Sequence, residues 1–212
     1  FPSGSEVLVL RSSVLSVEIE LARFEGCTRP DQLKTMALEQ TSAQSASTES
    51  HKLQTPWSFW YSKKTSGSSA SAEGFSSSLK HLGTFDTIEG FADHYSFLKR
   101  PVDLNNNSNY HLFRDNVRPA WESFTDGGCW TLRLKRHSPY LARFWEELMF
   151  ACIGELWEEP KVIGVVVSTR PKGDAVSVWT TDAKLKASIG EKIRKILQLD
   201  ANTPMEYKPY PH

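Results

Sequence analysis

The chain has 212 residues, with 25 basic and 25 acidic side chains and a formal net charge of zero. That length fits one domain with a sizeable buried core. Balanced charge excludes a polyelectrolyte that coats nucleic acid without selection, so any contact with RNA must come from a local basic patch.

The three cysteines, Cys27, Cys129 and Cys152, stand far apart and are odd in number. They make neither a disulfide framework nor a metal-ligand spacing, and they point to a reducing compartment, cytoplasm or nucleus. No apolar run reaches the roughly 20 residues that span a bilayer. No membrane partner, metal or cofactor is expected.

In chain order, "VLVLRSSVLSVEIELARF" is apolar but carries Arg11, Glu18 and Glu20 and has no small-residue cleavage site after it, which makes a poor signal peptide. The reading is that the native protein starts at Met36 and that residues 1–35 are upstream sequence; a genuine N-terminal extension is the alternative. Residues 36–50 are rich in Ser, Thr and Gln, so 1–50 is read as a disordered segment and 51–212 as the folded domain.

"LQTPWSFWYS" (53–62) alternates as a strand does, with Trp57, Phe59 and Tyr61 on one face and Trp60 on the other. A Ser/Gly-rich loop over 63–78 follows, and Phe75 is its only large apolar residue. "LKHLGTF" (79–85) is a second strand. In 86–99 the period changes: Ile88, Phe91, Tyr95 and Leu98 recur at helical spacing, Asp86 is placed to cap with Glu89 three residues on, and Pro101 stops the run.

The same unit repeats. Strands at 110–114 and 129–135 precede a helix that Ser138 caps and Pro139 opens, with a stripe of Leu141, Phe144, Trp145, Leu148, Cys152, Ile153 and Leu156. Strands at 161–170 and 175–181 precede a helix over 183–198, and "MEYKPY" adds an edge strand. Three strand–strand–helix units predict an α+β fold, an antiparallel sheet with helices on one face and the other face free to bind.

A lone tryptophan is usually core, and Trp57, Trp145 and Trp157 obey strand or helix periodicity; Trp60, on the opposite strand face from Trp57, fits either a core or a ligand-facing role. Trp121 differs. It follows Pro119 and precedes a polar turn ending in Gly127-Gly128, so its ring is offered to a ligand. Glu122 beside it matches the paired donors of a guanine edge. Methylation at N7 makes that base cationic, and a flat cation is held between two aromatic faces. Arg170 and Lys172, at the end of a strand, suit attached phosphates. The bland alternative for that pair is a solvated turn. His51, His81, His94, His111 and His137 are scattered through polar stretches, and no nucleophile–base pair, phosphate-cradling Gly loop or metal cluster suggests an enzyme.

Six collinear blocks, "HKLQTPWSFWY", "FDTIEGF", "LFRDNVRPAWE", "GGCW", "RFWEELMFACIGE" and "VVSTRPKGDAVSVWTT", resemble eukaryotic translation initiation factor 4E, the mRNA 5′-cap-binding family. "HLF" at 111–113 and "MEYKP" at 205–209 are similar to its divergent subclass, the 4E homologous protein of animals and the novel cap-binding protein of plants.

The resemblance implies a curved antiparallel sheet with three helices on the convex face and the cap on the concave one. It implies that Trp121 and Phe75 stack on the base, that Glu122 reads guanine, that Trp179 touches the N7-methyl group, and that Arg170 and Lys172 meet the phosphates. Cys129 and Ala175 stand where basic residues are common, which implies weaker phosphate binding.

The resemblance also implies a partner surface on the helical face, at His51, Leu53, Ile88, Glu147 and Phe150, for a helical segment of an initiation scaffold or regulatory protein. There Lys52 replaces the usual proline and Ala92 the anchoring tryptophan, a loss of about 2 kcal/mol or more. The expected function is cap binding in translation initiation or its regulation. The alternatives are a repressor that occupies the cap without the scaffold, and an interaction module with a weakened cap site.

Overall fold

The structure is a computed structural model that describes residues 50–64, 78–115, 117–120, 124–157 and 161–210. The expected disordered segment, apart from Ser50, and the Met36 start lie outside the described residues.

Seven strands form one antiparallel sheet: β1 (Lys52–Lys63), β2 (Leu79–Thr87), β3 (Ser108–Arg114), β4 (Gly128–Leu134), β5 (Val162–Arg170), β6 (Gly173–Thr180) and β7 (Met205–Pro209). Their order across the sheet is β2-β1-β3-β5-β6-β4-β7. Among the described residues three α-helices, α1 (Ile88–Ser96), α2 (Tyr140–Ile153) and α3 (Lys186–Ile196), follow strand pairs as the repeated pattern predicts.

All three helices pack on the same face. Trp57, Phe59, Leu112, Val165, Val167, Val176 and Val178 alternate along the strands and share one core with Phe91 of α1, Leu141, Trp145, Leu148 and Met149 of α2, and Ile189 and Ile193 of α3. Trp57, Trp145 and Trp157 are fully buried, as their periodicity requires. Trp130 docks α3. Its indole N–H donates to the Lys186 carbonyl at 2.8 Å, and its ring lies where a Cβ on Gly190 would stand 2.8 Å away.

The helix ends differ from expectation. Thr87, not Asp86, caps α1: β2 runs on to Thr87, whose hydroxyl accepts the Gly90 N–H at 3.0 Å. Glu89 closes no capping box; its carboxylate turns to His51, 2.7 Å from Nδ1. α1 ends at Ser96, leaving Leu98 packed on the core outside the helix, and Pro101 opens a short 3-10 turn (Pro101–Asp103). Pro139 is the cap of α2, not its first residue, while the Ser138 hydroxyl accepts the Tyr140 N–H at 3.3 Å. The third helical stretch begins as a 3-10 turn (Ala183–Leu185) started by Asp182, which accepts the Lys184 N–H at 2.9 Å.

Candidate ligand-binding face

Residues paired across neighbouring strands share a face. The face away from the helices therefore carries two rows, one near each end of the sheet. At one end Phe113 pairs with Gly164, Gly164 with Trp179 and Trp179 with Cys129. At the other, Ser62 pairs with Asn109, Asn109 with Ser168 and Ser168 with Ala175.

The first end is apolar and aromatic. Phe113, Ile163 and Val166 form a second, smaller cluster with Val117, Phe124 and Trp179. Trp179 is half-buried, with Phe113 edge-on at 5.3 Å and Tyr210 tilted at 5.2 Å. The β3–β4 connection crosses this end, and its stems are pinned: the Asp115 N–H donates to Pro56 O at 2.9 Å, and the Ala183 N–H to Asp126 O at 2.8 Å. A Cβ on Gly127 would stand 2.1 Å from the Thr180 carbonyl, so the glycine there lets two backbones touch. Trp121 and Glu122, carried by this connection, lie outside the described residues, as does Phe75 in the β1–β2 connection.

The second end is polar. Arg170 ends β5. Its Nη2 donates to Asn109 Oδ1 at 2.7 Å, and its Nη1 to the carbonyls of Thr169 at 2.8 Å and Ser108 at 3.2 Å. Asn109 Nδ2 donates to Ser62 Oγ at 2.8 Å, and Ser62 Oγ lies 2.9 Å from His111 Nε2. Burial lowers the pKa of the Arg170 guanidinium from its ordinary value, a cost that the nearby Asp174 charge partly offsets. Lys172 is exposed in the β5–β6 turn. Cys129 and Ala175 are half-buried on the same face, and burial pushes the Cys129 thiol up.

Sequence reasoning missed this chain of side chains. His111, read there as part of a polar stretch, is 2% exposed, and burial, then the Arg170 charge, lowers its pKa to about 3. The available signal was the alternation itself. Ser58, Trp60 and Ser62 on β1, and Asn109 and His111 on β3, place polar or amphipathic groups at every second position of an otherwise apolar sheet. Trp60, left open by the pattern, is half-buried on this face with its ring 4.7 Å from His81.

On the helical side, the five residues expected to meet a partner lie around the start of β1, on α1 and on α2. The β1 entrance is fixed to α1 by the His51 N–H to Glu89 at 3.0 Å and the Ile88 N–H to His51 O at 2.9 Å. The His51 side chain, by hydrogen bonding, holds the Glu89 carboxyl below its ordinary pKa. Leu53 and Ile88 are half-buried. Phe150 on α2 is 45% exposed with its ring 5.9 Å from Phe91, and Glu147, one turn earlier, accepts from Arg143 at 2.8 Å. Ala92 is exposed on α1 beside them.

The open face can thus hold a flat ring at one end and an anion at the other. Among the described residues no group of His, Cys, Asp and Glu could hold a metal ion.

The model of the family described as "Eukaryotic initiation factor 4E" matches residues 52–212. The chain is 37% identical over 163 residues to eukaryotic translation initiation factor isoform 4E-2 of Zea mays, covering 74% of this chain and 73% of that protein. It is 33% identical over 166 residues to the Oryza sativa initiation factor NCBP, covering 76% and 71%. Among solved structures, Ascaris suum eIF4E-3 in complex with the m7G cap matches with a TM-score of 0.69 and 30% identity over 76% of this chain and 92% of that one. Caenorhabditis elegans eIF4E-3, in complex with the 4E-binding protein Mextli and a cap analog, matches with a TM-score of 0.68 and 31% identity, at 76% and 92% coverage.

Proposed function

We propose a function from one premise: the chain belongs to the eukaryotic initiation factor 4E family. It binds the 7-methylguanosine 5′ cap of mRNA and acts in translation initiation. The observation that carries this reading is the polarity of the open face within the family's fold. An aromatic end at Phe113 and Trp179 and a cationic end at Arg170 lie roughly 20 Å apart along β5. A methylated purine with its phosphates matches both.

In this reading Trp121 and Phe75 stack on the base and Glu122 accepts its N1–H and amino hydrogens. Trp179 faces the methyl group. Arg170 and Lys172 hold the phosphates. Binding makes and breaks no covalent bond. His51, Leu53, Ile88, Glu147 and Phe150 take a 4E-binding protein; the nematode relative forms a complex with the 4E-binding protein Mextli. The place of action is the cytoplasm.

One observation favours a second reading of the partner step. Ala92 presents a single methyl group on the exposed side of α1, too little surface to anchor a helical partner centrally. A regulator that occupies the cap without recruiting the scaffold fits that surface.

Fluorescence titration with 7-methyl-GTP and GTP tests the main reading. Selective quenching by 7-methyl-GTP, abolished in Trp121→Ala, is expected. Equal binding of the unmethylated nucleotide overturns it.

A further inference from the structure

We propose that Asn109, Ser62 and His111 are positioning residues for Arg170: a one-way hydrogen-bond chain that holds the guanidinium on the open face through neutral acceptors only, so that its charge stays available to the ligand's phosphates. This rests on the cap-binding reading above.

The direction of the first two links follows from what each group can do. A guanidinium only donates. Arg170 Nη2 therefore gives a hydrogen to Asn109 Oδ1 at 2.7 Å. That sets the amide, whose Nδ2 donates to Ser62 Oγ at 2.8 Å. In the proposed direction Ser62 Oγ, which accepts from Asn109, gives its own hydrogen to His111 Nε2, 2.9 Å away. Nε2 must then carry a lone pair, so His111 is neutral with its proton on Nδ1. Asn109, Ser62 and His111 are 6%, 1% and 2% exposed, too dry for water to replace any link.

The other partners of the fork are the carbonyls of Ser108 and Thr169. Among the described residues no carboxylate touches the guanidinium. Asp174, the acid nearby, accepts only the Arg170 backbone N–H, at 3.4 Å, and is occupied by Arg136 at 3.0 and 3.1 Å and by the His137 N–H at 3.1 Å. Every acceptor that fixes Arg170 is thus uncharged. The Nε–H and the second Nη2 hydrogen have no hydrogen bond among the described residues, and they remain for an incoming anion. A cation fixed this way needs no reorganisation when a phosphate arrives, and no internal carboxylate competes for it.

The role predicts a ligand-dependent effect that a merely structural one does not. The chain sits at the phosphate end of the face, so only phosphate-bearing ligands should sense its loss. Asn109→Leu is expected to weaken 7-methyl-GTP by about tenfold, the worth of a charge-assisted hydrogen bond, while phosphate-free 7-methylguanosine binds as to the parent. Asn109→Asp keeps an acceptor but cancels the charge; it is expected to weaken 7-methyl-GTP and to flatten its salt dependence.

If thermal melting shows that Asn109→Leu does not fold, Ser62→Ala breaks the same chain one link further away, with an expected loss of about threefold. The ¹⁵N shifts of His111 should show the Nδ1–H tautomer at neutral pH. Equal losses for both ligands, unchanged 7-methyl-GTP affinity, or an Nε2–H tautomer overturns the proposal alone. A parent protein that binds neither ligand overturns the cap-binding reading with it.

Discussion

Arg114 and Arg170 end neighbouring antiparallel strands, and each is partly buried, yet their surroundings differ in one respect. Arg114 meets a carboxylate. Its Nη1 and Nη2 donate to Glu155 at 2.7 and 2.5 Å, its Nε donates to Val162 O at 3.0 Å, and its guanidinium lies 4.8 Å over the Trp57 ring. Thr55 joins the same carboxylate at 2.7 Å. Charge is cancelled internally, and the result is a tie between β1, β3, β5 and the end of α2. It also holds Glu155 at a left-handed φ of 51°, a conformation that costs a non-glycine residue about 1 kcal/mol. Arg170 is fixed as firmly but by neutral oxygens. One arginine is used up in holding the fold together, and in the proposed reading the other keeps its charge for a ligand. Residue type does not separate them; the charge of the fixing partner does.

The sharpest way to break the comparison is to remove each arginine. Arg114→Ala leaves the Glu155 carboxylate, with a side chain 19% exposed, without its counter-ion. It should lower stability by about 3 kcal/mol in urea unfolding, with 7-methyl-GTP affinity of the folded fraction unchanged. Arg170→Ala should show the reverse: about 1.5–3 kcal/mol of 7-methyl-GTP binding lost by titration, with a small shift in melting temperature. If Arg170→Ala costs stability and spares binding, the contrast fails.

The pH axis also separates the two regions. Burial, and then the Arg170 charge, keeps His111 neutral down to about pH 3. An unfolded histidine takes a proton below roughly 6.5. Between those values the unfolded state binds the extra proton, so stability falls as pH drops, by up to about 1.4 kcal/mol per pH unit. His111→Gln should lack that slope in pH-dependent melting.

Glu155 acts in a lower window. Burial alone would raise its pKa, but the hydrogen bonds from Arg114 and Thr55 and the Arg114 charge hold it below the ordinary carboxylate value. Its contribution is present above the unfolded value of about 4.3 and is lost as pH falls through the folded one. A parent whose stability is flat from pH 7 to 5 would remove the account of His111.

Alternation and helical period placed seven strands, three helices and the two faces of the sheet, because each is set by neighbours a few residues away. Misplacements fall at helix ends, where Thr87 rather than Asp86 caps α1 because the strand before it runs on. Trp121 and Glu122 stood out because a large ring beside an acid is odd in a turn. Arg170 and Lys172 stood out as cations at the end of a strand.

The neutral chain behind Arg170 had no such local mark. Its links join residues 61, 47 and 49 positions apart, and only cross-strand register brings them within hydrogen-bond reach. Local pattern was enough to say which side of each strand faces water and which faces the helices. Which buried charges are cancelled and which are kept free came from the packing of distant segments, because an electrostatic partner is defined by distance in space and not along the chain.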